Sequence, residues 1–194
     1  ELRLDRIGPA QIEVYKAKKL GAKLARKTIN NQLTVLRKLL TTACEWGLLA
    51  SVPAIKWMKP PPPEFDFVTF DEADRLIAGA HDDWRAMISV AVRTGLRLGE
   101  LEALRWTDVD LEAGRIVVRR AIARGIVGTP KNGRTREVPL SKQALEALNS
   151  HARSGPLVFC APAGEMLTRG MTRWPLNTAC RKAGLRPIGW DVLR

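Results

Sequence analysis

In TGLRLGE, residues 94–100, an arginine stands between two leucines, with AMISVAV shortly before it and LEALRW directly after. A guanidinium never loses its proton and is costly to bury unpaired, so Arg97 must reach solvent or hold an anion. Glu100, one helical turn on, offers an internal counter-ion. Such a pair is worth little when exposed, and both arrangements can coexist if Glu100 orients the arginine. Asp108 and Asp110 are the obvious metal-ligand candidates and would suggest a metal-dependent nuclease or transposase. They lack a third carboxylate at a recognisable spacing, and the D-V-D-L run suits a turn into a strand. His81 and His151 match no motif and follow helical segments, where a surface histidine is the ordinary outcome. Cys44, Cys160 and Cys180 are odd in number and show no C-x-x-C spacing, so they read as reduced core thiols in a reducing cytoplasm.

Charge points to the class of partner. Across 194 residues, 32 Lys+Arg face 20 Asp+Glu, a net charge of +12, and 45% hydrophobic residues can supply a core. The excess is uneven: residues 1–60 carry 12 basic and 4 acidic side chains, a balance of +8. A surface of this kind favours a polyanion, because each neutralised phosphate releases condensed counterions. Nucleic acid is preferred over a membrane, since no lipidation motif, 18-residue apolar run or signal-peptide core is present. An RNA-binding role lacks any aromatic recognition motif. The opening ELRLDRIG has no initiator Met, as expected of a piece of a longer chain.

The elements that must position these groups fall into two sets. KPPPPEFDF, residues 59–67, stiffens the backbone and predicts a linker between a helical domain at 1–58 and a second domain at 68–194. In the first, Pro9 opens a helix that Gly21 stops, and Thr28 is placed to cap a second helix whose apolar face is Ile29, Leu33, Leu36, Leu40 and Ala43. Lys23, Arg26, Lys27, Arg37 and Lys38 surround that face. In the second, Thr69 to Glu72 matches a capping box, and WRAMISVAVRTG predicts a helix ended by Gly95. A further helix is expected from about Leu98 to Arg105. RIVVRRA at 115–121 changes the period to that of a strand, and Asn132-Gly133 is a two-residue hairpin signal, so a small antiparallel sheet is expected. Helix returns at 141–149 and at 175–183 with Gly184 as its stop, with a short strand or edge at 157–159. The fold class is mainly α with a small antiparallel β-sheet. Trp46, Trp57, Trp84, Trp106, Trp174 and Trp190 are expected in the core or in domain contacts.

Three segments carry a family resemblance. TGLRLGELEALRWTDVDLEAGRIVV, TPKNGRTREVPL and GLRPIGWDVLR together resemble the catalytic domain of tyrosine recombinases of the phage integrase family. TINNQLTVLRKLLTTACEWGLL resembles the helical core-binding domain that precedes it in that family. The resemblance implies a site-specific DNA recombinase in which a tyrosine attacks a phosphodiester, leaving a 3′-phosphotyrosine and a free 5′-hydroxyl. Arg97 and Arg194 match the two arginines that clamp the non-bridging oxygens, with Glu100 in support, so no metal or cofactor is called for. Lys131, beside the turn, matches the general acid for the leaving 5′-oxygen. Lys23, Arg26, Lys27, Thr28, Arg37 and Arg134 are the expected DNA-binding residues, with Arg134 and Arg136 making backbone contacts or facing solvent.

Two departures stand out. The family's His-x-x-Arg becomes Asp-x-x-Arg here, so Asp191 occupies the position of a proton acceptor, where a carboxylate would be a weaker base and would repel the phosphate. The chain also stops at Arg194, ahead of the family's tyrosine, and its one tyrosine is Tyr15. The chain by itself is therefore expected to be inactive, and an alternative is a DNA-binding module or remnant without catalysis. Expected partners are double-stranded DNA and no membrane, with a monomer free of DNA, a tetramer on DNA for the intact protein, and a bacterial or phage origin.

Overall fold

The computed structural model describes residues 3–62, 65–168 and 170–194. The chain divides into two compact units, residues 1–64 and 65–194, and the division falls inside KPPPPEFDF.

The first unit packs helix α1 (Pro9–Gly21) against α2 (Arg26–Glu45). Pro9 takes the first helical position, where its missing N–H costs nothing. Ile12, Ile29 and Leu33 are buried together, joined by Leu36, Ile55 and Met58. The returning chain is pinned to α2 by Asn30, whose side chain both accepts from Met58 N (3.0 Å) and donates to Met58 O (2.8 Å). Lys16, only 8% exposed, donates to Glu13 and to the Lys56 carbonyl, so its ammonium is not part of the cationic surface. Two local expectations need correction. Helix α2 starts at Arg26 with Ala25 as its cap, so Thr28 lies within the first turn and caps nothing. Gly21 is the last helical residue rather than the stop. The left-handed residue that ends α1 is Lys23 (φ +58°), bracketed by the bonds Lys23 N to Leu20 O and Leu24 N to Lys19 O.

The second unit opens with α3 (Phe70–Gly79), closed at its start by the reciprocal capping box of Thr69 and Glu72. Helix α4 (Asp82–Thr94) runs through the centre of the core, with Met87, Ile88, Val90 and Ala91 all buried. Gly95 takes φ +65° and ends it, the left-handed stop that its position suggests. Helix α5 (Leu98–Glu102) is shorter than expected and gives way to a 3-10 turn at Trp106–Asp108.

The strands form two separate ladders among the described residues. β1 (Val109–Asp110), β2 (Arg115–Val118) and β5 (Arg136–Pro139) make one antiparallel sheet in the order β1-β2-β5, with Ile116 opposite Val138 and Val118 opposite Arg136. β3 (Ala121–Ala123) and β4 (Ile126–Gly128) make an independent hairpin. Asn132-Gly133 therefore does not close the hairpin. It makes an exposed turn between β4 and β5, held by Gly133 N to Pro130 O at 2.7 Å. The two-residue hairpin loop is Arg124-Gly125, both with positive φ, the twist that joins antiparallel strands.

Helix α6 (Lys142–Asn149), capped by Ser141, packs on α4, and α7 (Arg173–Lys182) packs on α3 and ends at Gly184. A 3-10 turn at Trp190–Leu193 returns to the core, where Leu193 is 4% exposed. Of the tryptophans, Trp46, Trp57 and Trp174 are exposed rather than buried. His151 is no plain surface residue: its Nε2 is 2.9 Å from the Val158 carbonyl and its ring packs between Trp106 and Phe159. Of the cysteines only Cys180 is fully in the core, and all three are free thiols.

Candidate functional site

Arg97 sits at the start of α5 because Gly95 ends α4 by turning left-handed, which aims Leu96 inward and brings Arg97 to the partly exposed edge. Its backbone N–H donates to Glu100 Oε2 at 2.9 Å, and its Nη1 lies 3.3 Å from Glu100 Oε1. The Arg97 side chain keeps 35% of its surface, whereas that of Glu100 keeps 1%.

Glu100 is held chiefly by a residue that the sequence reading left facing solvent. Arg136 on β5 donates Nη1 to Oε1 at 2.8 Å and Nη2 to Oε2 at 2.7 Å, a parallel fork. Burial pushes the Glu100 carboxyl up, but the hydrogen bonds from Arg136 and Arg97 and the Arg136 charge outweigh it, leaving the group below its ordinary range. The signal for Arg136 was strand alternation. Arg136 and Val138 share one face of β5, and Val138 packs against the core, so Arg136 must point inward as well.

The chain end comes to the same place. A Cβ built on Gly95 would lie 3.7 Å from the Cβ of Arg194, two residues before Arg97. On the other side, a Cβ on Gly99 would lie 2.2 Å from the Ile122 carbonyl oxygen, so β3 rests directly on α5. The base of Arg194 thus lies against Gly95, two residues before Arg97, although 97 positions separate the two arginines. Lys131 is exposed on the turn that precedes β5, five residues before Arg136. Lys131, Asp191 and Arg194 form no ion pair among the described residues, and Asp191 and Arg194 are both exposed. Arg134 is exposed on the same turn.

Asp108 and Asp110 do different work from metal binding. Asp108, 2% exposed at its side chain, accepts from Arg120 and from Arg105 N and pairs with Arg119. It thereby fixes the bend between β2 and β3. Asp110 caps the turn at Ala113 and pairs with Arg115. No group of three or more metal-ligating side chains occurs among the described residues. A surface pocket of this unit, about 590 Å³ among α3, α4 and α6, is lined by none of Arg97, Lys131, Asp191 or Arg194.

In the first unit Lys23, Lys27, Thr28 and Arg37 are exposed, as is Arg26, which donates to the Lys59 carbonyl at 3.0 Å. Tyr15 is engaged inside that unit: its hydroxyl donates to Gln32 at 2.8 Å and Lys19 lies over its ring.

The Arg97 guanidinium thus stays partly exposed above a buried carboxylate whose two oxygens are already engaged. The phage integrase family matches residues 66–194, and the chain belongs to that family, the tyrosine recombinases. Among curated relatives, prophage integrase IntR of Escherichia coli K12 is 33% identical over 143 residues, covering 69% of this chain and 35% of its own length. Tyrosine recombinase XerC of Xanthomonas campestris is 31% identical over 139 residues, covering 67% and 39%. The chain thus spans about a third of the length of these relatives. Among solved structures, the Tn1549 transposon integrase in complex with a circular intermediate DNA has a TM-score of 0.83 at 16% identity, over 97% of this chain and 71% of that one. A lambda integrase dimer bound to a COC′ core site has a TM-score of 0.79 at 20% identity, over 100% and 70%. These likenesses establish the fold. No helix among the described residues is long and apolar enough to cross a membrane.

Proposed function

We propose that this chain is the DNA-gripping and phosphate-clamping part of a site-specific recombinase that cuts and rejoins duplex DNA through a phosphotyrosine intermediate. The observation that supports this reading is the approach of the Arg194 Cβ to Gly95, two residues before Arg97. Two arginines astride one phosphate would neutralise the charge that grows on its non-bridging oxygens in the transition state. Lys131, on a flexible stem in an exposed turn, would give its proton to the leaving 5′-oxygen. Asp191 stands one 3-10 turn before Arg194 and takes the place of the usual histidine, with Glu100 supporting Arg97 from below. Lys23, Arg26, Lys27, Thr28, Arg37 and Arg134 would contact the sugar-phosphate backbone, which positions a protein on DNA without reading sequence. The helical unit before the Pro-rich run serves as the core-binding domain, and the unit after it as the catalytic domain. The chain by itself is a monomer free of DNA, located in the cytoplasm of a bacterium or encoded by its phage. The intact protein works as a tetramer on two DNA sites.

A second reading keeps the grip without the cut, and a specific observation favours it. Asp191, an exposed carboxylate, stands where the family resemblance leads to a histidine that would take the tyrosine proton. A nicked suicide duplex separates the readings. The 194-residue chain binds it without forming an adduct, and the full reading frame forms a covalent protein–DNA adduct that is lost in R97Q and R194Q. Absence of adduct from the full reading frame, with duplex binding retained, would leave the non-cutting module as the answer. Equal affinity for duplex DNA and RNA at fixed salt would refute both.

A further inference from the structure

We infer that Arg136 is a positioning residue: by saturating the buried Glu100 carboxylate it keeps the charge of Arg97 available for a DNA phosphate. The inference rests on the phosphate-clamp reading of Arg97 and adds a residue to it. The geometry is asymmetric. Glu100 has two oxygens and almost no access to water, and both are taken by the short fork from Arg136 at 2.8 and 2.7 Å. Arg97 adds one long contact at 3.3 Å from a single Nη, which leaves most of its five N–H donors uncommitted on a side chain that still reaches solvent. Two guanidinium groups around one carboxylate leave a net charge of +1, and the residue loosely held is the one at the open edge.

Remove Arg136 and the balance inverts. A carboxylate this buried requires compensation, and the nearest cation is Arg97, three residues away on the same helical turn. Its guanidinium would close onto Glu100 as a neutral pair, leaving no charge to spend on a phosphate. The same fork also fastens the start of β5, so the turn that carries Lys131 is anchored beside the clamp rather than left to swing. An isolated Arg97–Glu100 pair could supply orientation but not net charge. The pair with Arg136 supplies both.

The test uses this chain, a short mixed-sequence duplex DNA titrated across a range of salt, and near-ultraviolet circular dichroism to confirm folding. R97Q is the reference arm. It should weaken binding and lower the magnitude of the log-affinity against log-salt slope by about 1. R136Q should do the same although it removes no phosphate ligand, with affinity down about tenfold at moderate salt. R136K, which restores a charge without the fork, should recover part of the loss. The double variant E100Q/R136Q is decisive. With Glu100 neutral, Arg97 has nothing to collapse onto, so the double variant should bind better than R136Q. Double-variant binding as weak as R136Q would overturn the inference and reduce Arg136 to a structural strut. R136Q binding like the parent while R97Q weakens would overturn it too. R97Q binding like the parent would instead refute the clamp itself.

Discussion

Gly99→Ala is the substitution most directly decided by the geometry. Gly99 is the second residue of α5, where alanine gains about 1 kcal/mol over glycine by helix propensity alone. The added Cβ, however, would stand 2.2 Å from the Ile122 carbonyl oxygen, a backbone atom of β3 that cannot rotate out of the way. The carbon or the strand must retreat from 2.2 to at least 3.0 Å, the shortest separation that such contacts tolerate. Because the opposing atom is backbone, the strain belongs at the upper end of the overpacking range, about 3 kcal/mol. The net expectation is a loss of about 2 kcal/mol, the difference between that strain and the propensity gain. In urea unfolding followed by tryptophan fluorescence, a slope near 1.5 kcal/mol/M would turn this into a midpoint lower by roughly 1 M. Gly21→Ala is the matched control: Gly21 ends α1 with nothing within 4 Å of its added carbon, so it should be neutral or gain up to about 1 kcal/mol. A Gly99→Ala chain that unfolds at the parent midpoint or above it would refute the claim that α5 and β3 are in closest approach there.

Other outcomes follow from the same coordinates. Glu102 is 7% exposed, and burial pushes its carboxyl above the usual range, so the folded state pays for its charge at neutral pH. E102Q should therefore be more stable than the parent at pH 7–8, by about 1 kcal/mol. That gain should shrink as pH falls through the raised folded-state value and vanish below the unfolded carboxyl near 4.3, as thermal midpoints against pH would record. Lys23→Gly relieves a left-handed residue at the end of α1 and should stabilise the first unit by about 1 kcal/mol in the same urea assay. Asp108→Asn strips the charge that fixes Arg120 and Arg119 at the bend before β3, and should lower the thermal midpoint of the second unit by an amount equivalent to about 2 kcal/mol.

The helices were legible in the sequence because their signals are local. Thr69 and Glu72 three residues apart, Gly95 after an apolar run, and Gly184 after α7 each specify a backbone conformation by themselves. The hairpin was misplaced for a physical reason. Asn132-Gly133 has the stronger intrinsic turn preference, but pairing is decided by which flanking residues meet, and β5 finds β2 rather than β4. Arg124-Gly125 then carries the tight loop although arginine resists positive φ. Arg136 was missed because the charge rule sends arginine to the surface, and only the alternation of β5 against a buried Val138 argues otherwise. Thr28 was a plausible cap three residues too late, since Ala25 takes the cap position and the helix starts at Arg26 without a side-chain cap.

The spacing of TGLRLGE gains its meaning from the two glycines that flank Arg97. Gly95 turns the chain left-handed and leaves room for the base of Arg194, while Gly99 lets a strand carbonyl press against α5. At 99 any side chain would hold the strand carbonyl at a distance, whereas at 95 a first carbon would just touch Arg194. A larger residue at 95 would keep the chain end away, and one at 99 would lift the β3–β4 hairpin and, through residues 119 and 120, strain the bend that Asp108 secures. Arg97 is therefore located by absences of side chain on both sides and oriented by one buried acid beneath it. A site of this construction is stiff, because its reference points are backbone atoms and a carboxylate with no solvent to swing into. Stiffness is what the proposed phosphate-clamp role would require, since donors already in place do not have to reorganise when charge develops.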